Sequence, residues 1–145
     1  MKPVSVHIRD ILVEKGLGTF GSTASNKWSI QISTQPDKPS NCITIYDVPG
    51  STVDKTYNNT NYFYHSVFQV RVRGLDYNTA HERCELIRIA LDQITTKDGP
   101  PKILLKFDGT VYDNIAMDSE SFQLKQDEKR RFIFIVNGTA FRKEE

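Results

Sequence analysis

At 145 residues and 16.6 kDa, the chain is sized for one domain with a single core spanning residues 1–145, which excludes the large multidomain enzyme folds. Ile, Leu, Val and Phe fill 39 of the 145 positions, about 27%, above the roughly 20% below which chains stay disordered. Nineteen Lys and Arg against eighteen Asp and Glu leave a formal charge of +1. No net field therefore draws the chain to nucleic acid or an anionic membrane, and any basic contact has to be local.

The longest unbroken apolar run, Phe132 to Val136, has five residues, far short of the roughly 18 that suggest a membrane-spanning helix. A soluble protein with no membrane partner is expected. Arg9 and Asp10 stand where a secretory leader needs apolar residues. Cys42 and Cys84 form no C-x-x-C pattern, so free buried thiols are expected in place of a disulfide or metal site.

Along the chain, Val4, Ile8, Ile11 and Leu12 share one helical stripe, which predicts a short helix from Val4 to Lys15 with Pro3 suited to its first turn and Gly16 to its end. Gly16 to Lys27 reads as a loop. Trp28, Ile30 and Ile32 alternate as a strand that the P-D-K-P segment stops. Asn41 to Asp47 alternates again, and the polar excursion from Val48 to Thr60 reads as a long exposed loop.

The clearest strand is Tyr62 to Arg73, with Phe68, Val70 and Val72 on one face and Gln69, Arg71 and Arg73 on the other. The clearest helix follows Gly74. Asp76 suits its N-cap, and Tyr77, Ala80, Cys84, Ile87, Leu91 and Ile94 fall at alternating spacings of three and four. D-G-P-P at Asp98 to Pro101 stops it. Strands are expected at Ile103–Phe107, Val111–Met117, Phe122–Lys125 and Arg131–Phe141, with D-G at Asp108–Gly109 as a hairpin turn. The order predicts an α+β fold: a mainly antiparallel β-sheet with one long helix and a short N-terminal helix packed on one face. Exposed sheet edges in such a fold favour oligomers.

Gly16, Gly18 and Gly21 spell a literal G-x-G-x-x-G, a pattern whose amides can cradle phosphate. A dinucleotide fingerprint, however, needs a strand before it and a helix after it, and here the order is reversed. A helix C-cap and turn is the better reading. His7, His65 and His81 lack metal-ligand spacing, and no G-x-S-x-G or H-E-x-x-H accompanies them. Asp37, Asp47 and Asp54 read as turn and solubility residues. No catalytic residue, cofactor-binding residue or metal ligand is assigned. Arg71 and Arg73, with Lys125, Lys129, Arg130 and Arg131, could form a basic patch toward DNA, which Asp127 and Glu128 dilute. The N-x-T sequons at Asn58 and Asn137 lack a secretory context. Tyr57, Tyr62, Phe63, Tyr64 and Phe68 divide between core and interface anchor.

Three segments together resemble one family. They are L-G-T-F-G (Leu17 to Gly21) after a short first helix, I-T-I-Y-D-V-P-G (Ile43 to Gly50), and F-Q-V-R-V-R-G-L-D-Y-N-T-A (Phe68 to Ala80) leading into the helix to Ile94. They are similar to the tail terminator, or minor capsid, proteins of long-tailed bacteriophages, over roughly residues 4–95. G-S-T-A-S (Gly21 to Ser25) departs from the family's more acidic and apolar continuation. The resemblance implies a structural virion protein, not an enzyme and without cofactors. Its subunits would form a homohexameric ring that caps the tail tube, stops its growth and offers a surface to head-completion or neck proteins. DNA would pass through the pore without sequence-specific binding. On that reading Asp47, Pro49, Gly50 and Tyr57, in and around the long loop, and Arg71 and Arg73 on the strand face, are the expected subunit or tube contacts. The alternatives are another head–tail joining protein, or a small phosphate- or nucleotide-binding enzyme using Gly16, Gly18 and Gly21.

Overall fold

The computed structural model describes residues 2–23, 27–49, 54–55, 62–92 and 105–144. Helix α1 (Val4–Glu14) forms where the sequence places its stripe and buries Val4, Ile8, Ile11 and Leu12. Its end is a Schellman turn: Gly16 N donates to Val13 O and Leu17 N to Leu12 O, both at 3.0 Å. Gly16 adopts a φ of 71° there, a conformation that costs a Cβ-bearing residue free energy.

The strands are β1 (Thr19–Phe20), β2 (Ser29–Ile32), β3 (Cys42–Val48), β4 (Asp54–Lys55), β5 (Tyr62–Gly74), β6 (Leu105–Phe107), β7 (Thr110–Met117), β8 (Phe122–Gln123) and β9 (Phe132–Glu144), with α2 (Tyr77–Asp92) following β5. They form a sheet in the order β1-β2-β3-β5-β9-β7-β6, with β4 beside β5 and β8 beside β9. β5 and β9 form its long central pair, from Tyr64 opposite Arg142 to Gly74 opposite Phe132. Asp108 and Gly109 both have positive φ (45° and 76°), the conformation of a tight hairpin turn between β6 and β7.

The fold class matches the α+β expectation, with three differences in detail. β1 lies within the segment read as a loop, because two residues pair with β2 through tertiary contact and leave no periodic signal. β1, β2 and β3 run parallel, joined between β2 and β3 by the helix-free connection 33–41. β9 continues past Phe141 to Glu144 because β7 pairs with that extension. The expected helix end at Ile94, the D-G-P-P stop, Ile103 and most of the long loop lie outside the described residues.

Both helices pack on one face of the sheet. Ile43, Ile45, Phe68, Val70, Val72, Phe134 and Val136 from the strands meet Ile8, Leu12, Cys84, Ile87 and Leu91 from the helices in one core cluster. Each fully buried Ile, Leu or Phe of this kind stabilises the fold by roughly 1.5–3 kcal/mol. Gly138 of β9 makes room for the Phe68 ring, since a Cβ there would lie 2.5 Å from Phe68 Cζ.

Candidate assembly surface

Strand alternation turns Tyr46, Val67, Gln69, Arg71, Asn137 and Phe141 away from the helices, onto a face of β3, β5 and β9 that no helix covers among the described residues. Arg71 Nε donates to Gln69 Oε1 at 2.8 Å, and Gln69 Nε2 donates to Asn137 Oδ1 at 3.0 Å. The Arg71 guanidinium also lies 5.1 Å from the centre of the Tyr46 ring. This ladder across three strands holds a cation in one orientation. None of the outward positions of β2, β3, β5 and β9 carries a carboxylate. The nearby Asp118, past the end of β7, accepts from Thr139 Oγ1 at 3.0 Å.

Arg73, two residues on, has a different environment. It is 3% exposed, and its guanidinium donates to the carbonyls of Pro36 (2.5 Å), Pro39 (2.8 Å) and Ser40 (3.1 Å). Burial, with Arg131 close by, lowers its pKa. Arg131 grips the same connection, donating to Asp37 O at 2.6 Å and pairing with Asp37 Oδ1 and Asp127 Oδ2. Lys129 also pairs with Asp37, and the two cations hold the Asp37 carboxyl below its ordinary value. Arg73, Lys129 and Arg131 thus come together in space, with their donors turned onto the 36–40 segment.

Asp47 lies beside the N-terminus of α1, where its carboxylate accepts from Ser5 N (3.0 Å) and Ser5 Oγ (2.7 Å). A cavity of about 410 Å³ opens next to it, lined by Pro3, Tyr64, His65, Ser66 and Arg142 among others. Below α1, the buried His7 Nδ1 lies 2.5 Å from the Tyr112 hydroxyl. Burial lowers the His7 pKa and pushes that of Tyr112 up to about 12. Pro49 is exposed, and Phe68 is core. Gly50 and Tyr57 lie outside the described residues. Of the six sequence-chosen contacts, Pro49 is exposed, and Arg71 is the charged one whose side chain turns outward without being tied to a distant loop or helix end. The capping role of Asp47 and the loop-binding role of Arg73 join residues more than thirty positions apart, and local sequence carries no signal for them.

The glycine-rich segment has little left with which to hold phosphate. The amides of Gly16, Leu17, Thr19 and Gly21 already donate to the carbonyls of Val13, Leu12, Trp28 and Ile30. Arg83 closes over this segment, 5.2 Å from the Trp28 ring and donating to Leu17 O at 3.2 Å. Cys42 and Cys84 are separate buried thiols, the latter with its pKa pushed up to about 12 by burial. Among the described residues, no group of three or more His, Cys, Asp or Glu could hold a metal ion, and no helix is long and apolar enough to cross a membrane.

Among the described residues both helices lie on one face of the sheet, and a ladder of polar side chains crosses the other. The family model described as bacteriophage tail terminator protein matches residues 11–140, and the chain belongs to that family. It is a structural protein of the phage tail, located in the tail–neck region of the virion. No curated protein matches the sequence. Among solved structures, a chain from the virion of a native gene transfer agent particle is similar at 9% identity and a TM-score of 0.49, with 79% of this chain and 78% of that chain covered.

Proposed function

We propose that the chain closes into a homohexameric ring on the end of the tail tube, stops tube growth and offers its free surface to the head-completion or neck proteins. DNA passes through the pore without sequence-specific contact, and the protein works by binding, with no catalytic step. The family match over residues 11–140 carries this reading. The sheet face that no helix covers among the described residues adds to it, because a subunit with helices on one side and strands on the other has unlike front and back, the form that closes head to tail into rings. Arg71, with Pro49, Gly50 and Tyr57, contributes to the contacts, while Asp47 and Arg73 act on them by holding α1 and the 36–40 segment.

Light scattering on the purified chain tests the ring, with negative-stain images of the same sample. Six subunits give a mass of ~100 kDa and rings with a central pore. A strict monomer that also fails to bind tail tubes overturns the reading.

A further inference from the structure

The two faces of the subunit differ in a complementary way. On the solvent side of α2, Glu82, Leu86 and Ile89 fall at i, i+4 and i+7, a single stripe along the helix. Leu86 is 48% exposed and Ile89 45%, large apolar side chains turned away from the core. No cation among the described residues pairs with Glu82. On the opposite side of the molecule, the outward face of β3, β5 and β9 carries Arg71, which has no carboxylate partner among the described residues, between buried Thr44 and Ile135 and beside half-buried Tyr46 and Val67. One face has an unpaired anion and exposed apolar groups, and the other has an oriented cation and apolar groups. The spacing also agrees. Glu82 to Ile89 spans about 10 Å of helix and Arg71 to Val67 about 13 Å of strand, so a helix laid along β5 with Glu82 at Arg71 brings Ile89 near Val67.

We infer that the α2 stripe of one copy seats on the outward β3–β5–β9 face of the next, with Glu82 paired to Arg71 and with Leu86 and Ile89 over Tyr46 and Val67. This rests on the ring reading and gives it a specific contact. The occupant is a second copy of this chain because the complementary surface is present on the chain itself. The contact is heterologous, so each subunit uses one face to give and the other to receive, and repetition closes a ring. The Arg71–Gln69–Asn137 ladder fixes the guanidinium before contact, which reduces the ordering cost of association.

Charge exchange tests it. Arg71→Glu and Glu82→Arg are each expected to weaken self-association roughly tenfold or more, and the double exchange to restore most of it. Each is measured by light scattering across a concentration series, with thermal unfolding to show that the subunit remains folded. Ile89→Asp, on an exposed helix position remote from the Arg71 ladder, is expected to weaken assembly as well. Rings that form equally well in all three single variants, or a double exchange no better than its parents, overturn this contact while leaving the ring reading intact. Arg71→Glu that leaves the mass unchanged but lowers retention of a short DNA duplex assigns the face to DNA and also overturns it. A wild-type chain that stays monomeric at about 0.1 mM, a hundredfold above a micromolar contact, overturns the contact. Failure of that same chain to cap tail tubes then removes the ring reading too.

Discussion

Asp47, at the end of β3, caps α1 from outside the helix: its two carboxylate oxygens accept from the backbone N–H and the hydroxyl of Ser5, at 3.0 and 2.7 Å. Pro3 occupies the N-cap position and makes no side-chain cap bond, so a strand forty residues away supplies what the local sequence lacks. Negative charge at a helix N-terminus also opposes the helix dipole favourably. Asp47→Ala is expected to lower stability by about 1 kcal/mol, read from the urea midpoint. In a double-mutant cycle with Ser5→Ala, the two losses should be less than additive, since both remove the bond from the Ser5 hydroxyl, while the bond from the Ser5 N–H is lost only with Asp47.

Arg73 holds the connection between two parallel strands. Its removal leaves the carbonyls of Pro36, Pro39 and Ser40 without their donor. Arg73→Ala is expected to cost about 3 kcal/mol, and Arg73→Glu more, because a carboxylate would face those carbonyls in a buried place. Arg71→Ala, whose half-buried side chain binds no distant loop, should cost under about 1 kcal/mol. Denaturant unfolding of the three variants separates the two arginines, and equal losses would contradict the assignment.

Gly138 and Phe68 occupy each other's space across β5 and β9. A Cβ at 138 would meet Phe68 Cζ at 2.5 Å and Met117 Sδ at 3.0 Å. Gly138→Ala is expected to cost about 1–3 kcal/mol through overpacking. Adding Phe68→Leu should recover part of the loss, and the thermal midpoints of the single and double variants check this.

Glu85 ties α2 to the segment ahead of β8. Its carboxylate accepts from Arg88 Nε and Nη2, at 3.1 and 2.9 Å, and from the Ser121 hydroxyl. The bonds from Arg88 and then Ser121 hold its pKa down at about 2, against an ordinary 4.5. A carboxyl whose pKa is depressed by folding contributes stability that is present above the ordinary value and is lost as pH falls through the folded one. Stability should therefore decline between about pH 4.5 and pH 2, and Glu85→Gln should flatten that part of the profile. An unchanged slope would contradict the ion pair's role.

The sequence shows its structure where local chemistry decides the outcome. Phe68, Val70 and Val72 mark the core face of β5 by alternation, Ala80, Cys84, Ile87 and Leu91 mark that of α2, and Gly16 and Gly109 mark turns that need positive φ. Long-range pairing is less visible. Thr19 and Phe20 become a strand only because β2 lies beside them, and the short stretch between Ile32 and Cys42 resembles a hairpin connection although its strands run parallel. The assembly surface divides in the same way. Alternation puts Arg71 and Arg73 on the same outward face, but only the fold brings the 36–40 segment over one of them and leaves the other presented.

The most direct test of the account is the length of tail tubes grown with and without this chain. When purified tube subunits elongate in vitro, adding the chain should arrest growth and place one ring on the tube end in electron micrographs. Tubes that keep growing at the same rate, with bare ends at saturating concentrations of the chain, would contradict it.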